Sequence, residues 1–190
     1  MAEKYSPGVL SGPQEFKPGT IYADRDAVCN SGVHNHHQSG VYAKDGMAES
    51  VLLSGAYLDD EDKGDTIIYA GTGGQDKRGN AIDDQKHEAA NVALIASYED
   101  KRYIRVIRSE KCRSRYAPRK GYRYDGLYMV TDYEYRKGIS GYMRFFFTLK
   151  KVNANSTKLE QGHDRHSEDD FQNQDDHWIG TQGHFQTQDY

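Results

Sequence analysis

The stretch Leu53–Gly74 reads LSGAYLDDEDKGDTIIYAGTGG, directly after Val51-Leu52. Val51-Leu52-Leu53 and Thr66-Ile67-Ile68-Tyr69 are short aliphatic or β-branched runs bounded by Gly and Asp, which favours strands. Between and after them lie two tyrosines, Tyr57 and Tyr69, an acidic run Asp59-Asp60-Glu61-Asp62, and a glycine-rich segment Gly71–Gly74. Small residues beside aromatics let backbone amides approach a flat ligand closely. Two rings and one carboxylate can grip a planar base, the rings on its faces and the acceptor on its amino edge. Gly71–Gly74 lacks the Lys-Ser/Thr of a phosphate-binding P-loop and no helix follows it at once, so that motif is rejected.

Outward from this stretch, Pro18–Thr20 opens an extended segment through Ile21-Tyr22. Ala89, Val92, Ala93 and Ala96 fall on one helical face, capped by Asp83 or Asp84 and running to about Tyr98. Tyr103–Arg108 alternates as a strand with its arginines on one face. Leu127–Tyr135 and Tyr142–Val152 form a hairpin around a turn at Lys137-Gly138. Residues 1–14 read as an irregular lead-in. After Val152 the composition turns to Asn, Gln, His, Asp and Ser with few apolar residues, which reads as a disordered acidic tail over 153–190. The fold class is therefore α+β, mostly β, in one domain over 15–152.

Of 190 residues, 36% are hydrophobic and fifteen are tyrosines, enough for one compact core with a β-rich binding surface. The net charge is −4, but the tail carries two basic residues against eight acidic ones. Lys101–Arg123 holds ten Lys or Arg and one acid, Glu110, interleaved with Tyr103, Tyr116 and Tyr122. Such a stretch either attracts phosphate or forms a solvated loop and strand face. Cys29 and Cys112 allow one disulfide, but no secretory leader precedes the domain and no apolar window is long enough for a membrane span. Two cysteines cannot supply a RING finger or the His/Cys/Cys site of a zinc deaminase. His34, His36 and His37 invite a metal reading, but no Cys or carboxylate lies nearby at ligand spacing, so no metal, cofactor or catalytic residue is expected.

Ser31-Gly32-Val33-His34, Arg115-Tyr116-Ala117-Pro118 and Tyr124-Asp125-Gly126, together with Tyr57, Asp60 and Tyr69, resemble the SRA (SET- and RING-associated) or YDG domain family over about Pro18–Val152. The resemblance implies a PUA-like twisted β-barrel with flanking helices, and a reader that flips 5-methylcytosine out of duplex DNA. It implies a base pocket of Tyr57, Asp60 and Tyr69 lined by Ser54, Gly55, Asp59, Ala70, Gly71 and Thr72, with Asp60 on the exocyclic amine. It places His37, Gln38 and Gly40 on a short loop that enters one groove, Gln38 standing where well-known members carry an apolar residue. On the other groove it places a finger loop, here shortened, with Asn80 retained and Lys77 and Arg78 just before it. Ala70 stands where hemimethyl readers have Thr. YDG itself reads as structural, Asp125 bonding turn amides, Gly126 permitting a turn and Tyr124 packing.

The implied partner is double-stranded DNA carrying a modified cytosine at methylated or hemimethylated CpG, in the nucleus, with chromatin proteins as candidates for the tail. No membrane or small-molecule substrate is implied. The alternative is a specificity component for a modification-dependent nuclease, or for a chromatin ubiquitin-ligase or histone-methyltransferase system, with the catalytic module on another chain. A third reading, a protein–protein module docking through Trp178-Ile179, is opposed by the joint retention of Tyr57, Asp60 and Tyr69.

Overall fold

The computed structural model describes residues 16–152. The expected lead-in, 1–14, and acidic tail, 153–190, lie outside the described residues. In chain order the elements are β1 (Ile21–Tyr22), α1 (Arg25–Ser31), β2 (Val41–Lys44), β3 (Met47–Leu53), β4 (Glu61–Asp62), β5 (Thr66–Ala70), α2 (Ala89–Glu99), β6 (Tyr103–Ser109), β7 (Tyr122–Lys137) and β8 (Met143–Lys151). The strands form one twisted 8-stranded sheet in the order β2-β3-β6-β7-β8-β5-β4, with β1 pairing onto β7. The sheet does not close, since β2 and β4 stand at its ends.

The continuous apolar runs of the sequence are strands buried on both faces. β3 and β6 pair in parallel next to the β2 edge of the sheet. From β3, Val51 and Leu53 enter the main core while Leu52 enters a second one; from β6, Ile104 and Val106 enter the main core and Ile107 the second. The main core lies against α2 and includes Tyr69, Tyr128, Phe145 and Phe147. The second holds Val28, Val33 and Tyr124, with Phe16, Tyr22 and Tyr122 packed on it. The expected hairpin is β7–β8, closed where Gly138 N donates to Tyr142 O at 2.9 Å. Cys29 and Cys112 are buried free thiols, and no disulfide joins them.

Four local expectations are corrected. The helix starts at Ala89, not after Asp83 or Asp84, and its N-cap Glu88 makes no side-chain cap bond. Residues before it run alongside the start of β8: Gln85 N donates to Met143 O and Met143 N to Asp84 Oδ1. The buried helix positions are Asn91, Ala93, Leu94 and Ser97, while Val92 is exposed. Polar Asn91 and Ser97 occupy the inner face because each has a built partner; Ser97 Oγ, for example, accepts from Ala48 N at 2.9 Å.

The β6 arginines lie on opposite faces, as a spacing of three residues requires when side chains alternate. Arg105 donates to Glu49 (2.9 Å) and to Val33 O; Arg108 donates to Asp62, and its Nη1 lies 2.9 Å from Asp125. Both are buried and paired, so they are not part of a phosphate-attracting surface. The YDG motif is a β-bulge, not a turn. Val106 pairs with Gly126 and Ile107 with Tyr124, leaving Asp125 as the extra residue, with Gly126 at φ +106°. The bulge directs Asp125 onto Arg108 and Arg123 rather than onto turn amides, while Tyr124 packs as expected.

Candidate nucleic-acid interface

Four loops make up the candidate site, and the one after β3 meets the end of β5 at Asp60. The loop after β3 carries Ser54–Asp60 and is held against residues 111–112. Gly55 is at φ +76°, and a Cβ there would lie 2.2 Å from Lys111 O. Positive φ and missing space both demand glycine. A cleft of about 320 Å³, counted out to open solvent, is lined here by Leu53, Gly55, Tyr57, Leu58, Asp60 and Cys112 among others.

Asp60 is the electrostatic centre of the site. Its Oδ1 accepts from Ala70 N at 2.8 Å, which ties the loop to the end of β5. Burial pushes its carboxyl up to about 7, with Asp59 and Asp62 adding to the rise against the lowering effect of the Ala70 bond. The group is therefore poised between acid and carboxylate near neutral pH. Tyr57 is half-buried, and its hydroxyl accepts from Gly73 N at 3.2 Å, which orients its ring. Tyr69 is only 1% exposed and belongs to the main core. Burial, and then the Asp60 charge, raise its phenol well above the ordinary value, so its hydroxyl stays protonated. Of the two expected stacking rings, only Tyr57 presents area to solvent. Contact with the face of Tyr69 requires displacement of the atoms that cover it.

The glycine-rich loop is pinned by side chains that sequence reasoning missed. Thr72 N donates to Asn91 Oδ1 (2.9 Å) and Asn91 Nδ2 donates to Thr72 O (3.0 Å). Gln85 Nε2 donates to Gly71 O, and Arg144 Nη1 donates to Gly73 O at 2.9 Å. Asn91, Gln85 and Arg144 are all at most 1% exposed. Buried polar groups of this kind are costly unless satisfied, and here they fix a loop backbone. The signal in the sequence was weak: a polar residue on an otherwise apolar helix face at Asn91, and an arginine heading the apolar β8. Ser54 Oγ accepts from Ala56 N, and Ala70 is fully buried. Asp59 is turned to the β7–β8 turn, its Oδ1 accepting from Ile139 N at 2.7 Å.

The short loop after α1 is built to present its tip. Arg25 donates to the carbonyls of His36, His37 and Ser39. His34 is fully buried; its Nε2 donates to Ser39 O (2.9 Å), so its Nδ1 accepts from Ser50 Oγ (2.8 Å). Burial, followed by the charge of Arg25, lowers its imidazole to about 3 and keeps it neutral. His37 and Gln38 remain exposed at the tip, His37 Nδ1 lying 2.9 Å from Asp26. Gly40 joins this loop to the pocket, since a Cβ there would lie 2.7 Å from the Tyr69 hydroxyl. The fourth loop carries Lys77, Arg78 and Asn80, all exposed. It is closed by Asp76, which accepts from Arg78 N, Asn80 N and Asn80 Nδ2, so the Asn80 amide is engaged within its own loop. No group of His, Cys, Asp and Glu suited to a metal ion occurs among the described residues, and no helix among them is long and apolar enough to cross a membrane.

The sequence and fold of the chain are similar to those of known proteins. The SAD/SRA domain family profile matches residues 11–155. The chain is 37% identical over 142 residues to the histone-lysine N-methyltransferase family member SUVH9 of Arabidopsis thaliana, covering 70% of this chain and 22% of that protein. It is 38% identical over 170 residues to the E3 ubiquitin-protein ligase UHRF1 of Danio rerio, covering 76% of this chain and 22% of that protein. It thus spans about a fifth of the length of these curated relatives. Among solved structures, a modification-dependent TagI restriction endonuclease superposes with a TM-score of 0.71 at 34% identity, over 76% of this chain and 52% of that one. The SUVH5 SRA domain bound to hemimethylated CG DNA superposes with a TM-score of 0.63 at 32% identity, over 79% of this chain and 96% of that one. With the profile covering most of the sequence and a bulged YDG strand, a half-buried Asp60 and two tyrosines at its site, the chain belongs to the SAD/SRA domain family.

Proposed function

We propose that this chain reads modified cytosine in duplex DNA by drawing the base out of the stack into the pocket walled by Tyr57, Asp60 and the segment from Tyr69 to Gly73. The observation that supports this best is the half-buried Asp60 carboxyl, tied to Ala70 N–H and raised to about 7 beside two tyrosines. Ala70 N–H marks Oδ1 as the acceptor oxygen, so in the acid form the proton sits on Oδ2. One acceptor beside one donor complements the N4 amine and N3 of cytosine, and opposes thymine, which presents a carbonyl in place of the amine. Extrusion costs a few kcal/mol. Stacking on Tyr57, at about 1–3 kcal/mol per base, offsets it, with Tyr69 uncovered as the base enters. Burying the 5-methyl group contributes about 0.8 kcal/mol, roughly a fourfold preference. His37 and Gln38 fill the vacated space from one groove, and the loop of Lys77, Arg78 and Asn80 approaches the other.

The domain, 15–152, which an acidic tail follows in the sequence, performs no catalysis of its own and works in the nucleus, its relatives including proteins named as a histone methyltransferase and a ubiquitin ligase. The likeness to a modification-dependent endonuclease supports a second reading, specificity for a nuclease module carried elsewhere.

The test is fluorescence anisotropy at fixed salt on one duplex with unmodified, hemimethylated or fully methylated CpG. A several-fold preference for the methylated duplexes is expected, lost in both Tyr57→Ala and Asp60→Ala. Equal binding to all three, unchanged by either substitution, refutes the pocket.

A further inference from the structure

We propose that residues 111–115, in the loop between β6 and β7, grip the phosphates flanking the flipped nucleotide on its own strand. The assignment rests on the base-pocket reading and names the partner of a surface beside that pocket. Of the ten basic residues from Lys101 to Arg123, the structure buries Arg102, Arg105 and Arg108 and pairs Arg123 with Asp125. Lys111, Arg113, Arg115, Arg119 and Lys120 are exposed. None of these five makes an ion pair among the described residues. The one acid of the loop, Glu110, is turned to its base, Oε2 accepting from Gly121 N at 2.9 Å. A run of unneutralised cations on one short loop concentrates positive potential there.

The loop is held in shape before any partner arrives. Glu110 N donates to Gly121 O, closing its ends, and Arg123 Nη2 donates to Tyr116 O at 2.6 Å from beneath. The Arg115 guanidinium lies 4.9 Å from the centre of the Tyr116 ring and donates to its hydroxyl. That ring in turn covers Gly64, where a Cβ would lie 2.8 Å away. The same loop lines the cleft on the Tyr57–Asp60 side of that pocket, where Cys112, Arg113 and Ser114 share its wall with Gly55, Tyr57, Leu58 and Asp60. A base stacked on Tyr57 beside Asp60 brings its own 5′ and 3′ phosphates toward this loop, where Arg113 lines the adjoining cleft and Lys111 backs Gly55.

The test combines a salt titration with a double-mutant cycle. Lys111→Gln with Arg113→Gln removes two cations, so the slope of log K against log salt becomes shallower by about 1.8, at about 0.9 per phosphate. The ratio of methylated to unmethylated binding stays within about twofold. Lys44→Gln with Lys101→Gln makes the same charge change where β3 and β6 begin, six strand residues or about 20 Å from Leu53. That control leaves the slope near the wild-type value. Neutral methylphosphonates at the two phosphates flanking the methylcytosine weaken the wild type, and the Lys111/Arg113 variant loses little further, as groups that contact each other must. An unchanged salt slope, or full sensitivity of the variant to those flanking substitutions, overturns the assignment. A wild type without methyl preference overturns the pocket reading and this assignment with it. A methyl preference beside an unchanged slope overturns this assignment alone.

Discussion

Asp60→Asn isolates the cost of keeping a carboxyl in this pocket. Asparagine retains an oxygen for Ala70 N–H, so the 2.8 Å bond survives and only the ionisation is removed. The folded-state value of Asp60 is raised from 3.8 to about 7. The folded protein therefore holds a proton that the unfolded chain has released between those limits, and wild-type stability falls as pH rises through that window. At 1.36 kcal/mol per unit the ceiling is about 1 kcal/mol at pH 4.5 and about 4 kcal/mol at pH 8. Water entering from the open cleft reduces the upper figure to about 2 kcal/mol. Urea denaturation of both proteins at the two pH values measures the difference directly, because every other titrating group cancels between them. The variant is expected to be the more stable, with its advantage growing toward pH 8. An advantage that is constant with pH, or that shrinks toward alkaline pH, would refute the claim that burial raises this group.

The same reasoning with opposite sign applies to His34, whose imidazole is lowered to about 3 by burial and by Arg25. Wild-type stability is lost as pH falls below 6.5, by about 2 kcal/mol between pH 7 and 5, and denaturation of His34→Gln beside the wild type should show that slope absent in the variant. Gly71→Ala places a Cβ 2.6 Å from Asn91 Oδ1 and 2.9 Å from Gln85 Oε1; an overpacking cost of about 1–3 kcal/mol in thermal melts is expected, together with a reduced methyl preference in anisotropy, since the loop that orients Tyr57 is displaced.

The hairpin β7–β8 and strands β3 and β5 were legible because alternation and glycine turns are local signals. The face of α2 was misjudged for a physical reason. Apolar periodicity assumes that polar residues point outward, yet Asn91 and Ser97 point inward to partners on the glycine loop and β3. The arginines of β6 were read as one positive face, although positions 105 and 108 cannot share a face of an unbulged strand. Their acids, Glu49 and Asp62, lie 56 and 46 residues away in the chain, so the neutralisation was invisible locally. YDG was recognised as structural, but a bulge and a turn use the same glycine, and only the register with β6 distinguishes them.

The site residues divide along the same line. Tyr57, Asp60 and Tyr69 stand out in the sequence because aromatic rings and a carboxylate among small residues are locally conspicuous. Gln85, Asn91 and Arg144 do not, because each acts on a backbone group brought near only by the sheet, as with Arg144 on Gly73 across 71 residues. Yet the second set decides what the first can do. Gly73 N–H orients the Tyr57 hydroxyl, and Gly73 is itself held by Arg144. Ala70 N–H selects the acceptor oxygen of Asp60, and the residues just after Ala70 are held by Gln85 and Asn91. A base pocket of this kind therefore consists of a few ligand-facing side chains on a backbone that buried amides and a guanidinium keep in place. Substitution of the buried set should erode discrimination between bases before it erodes attraction to DNA, which depends on charges elsewhere.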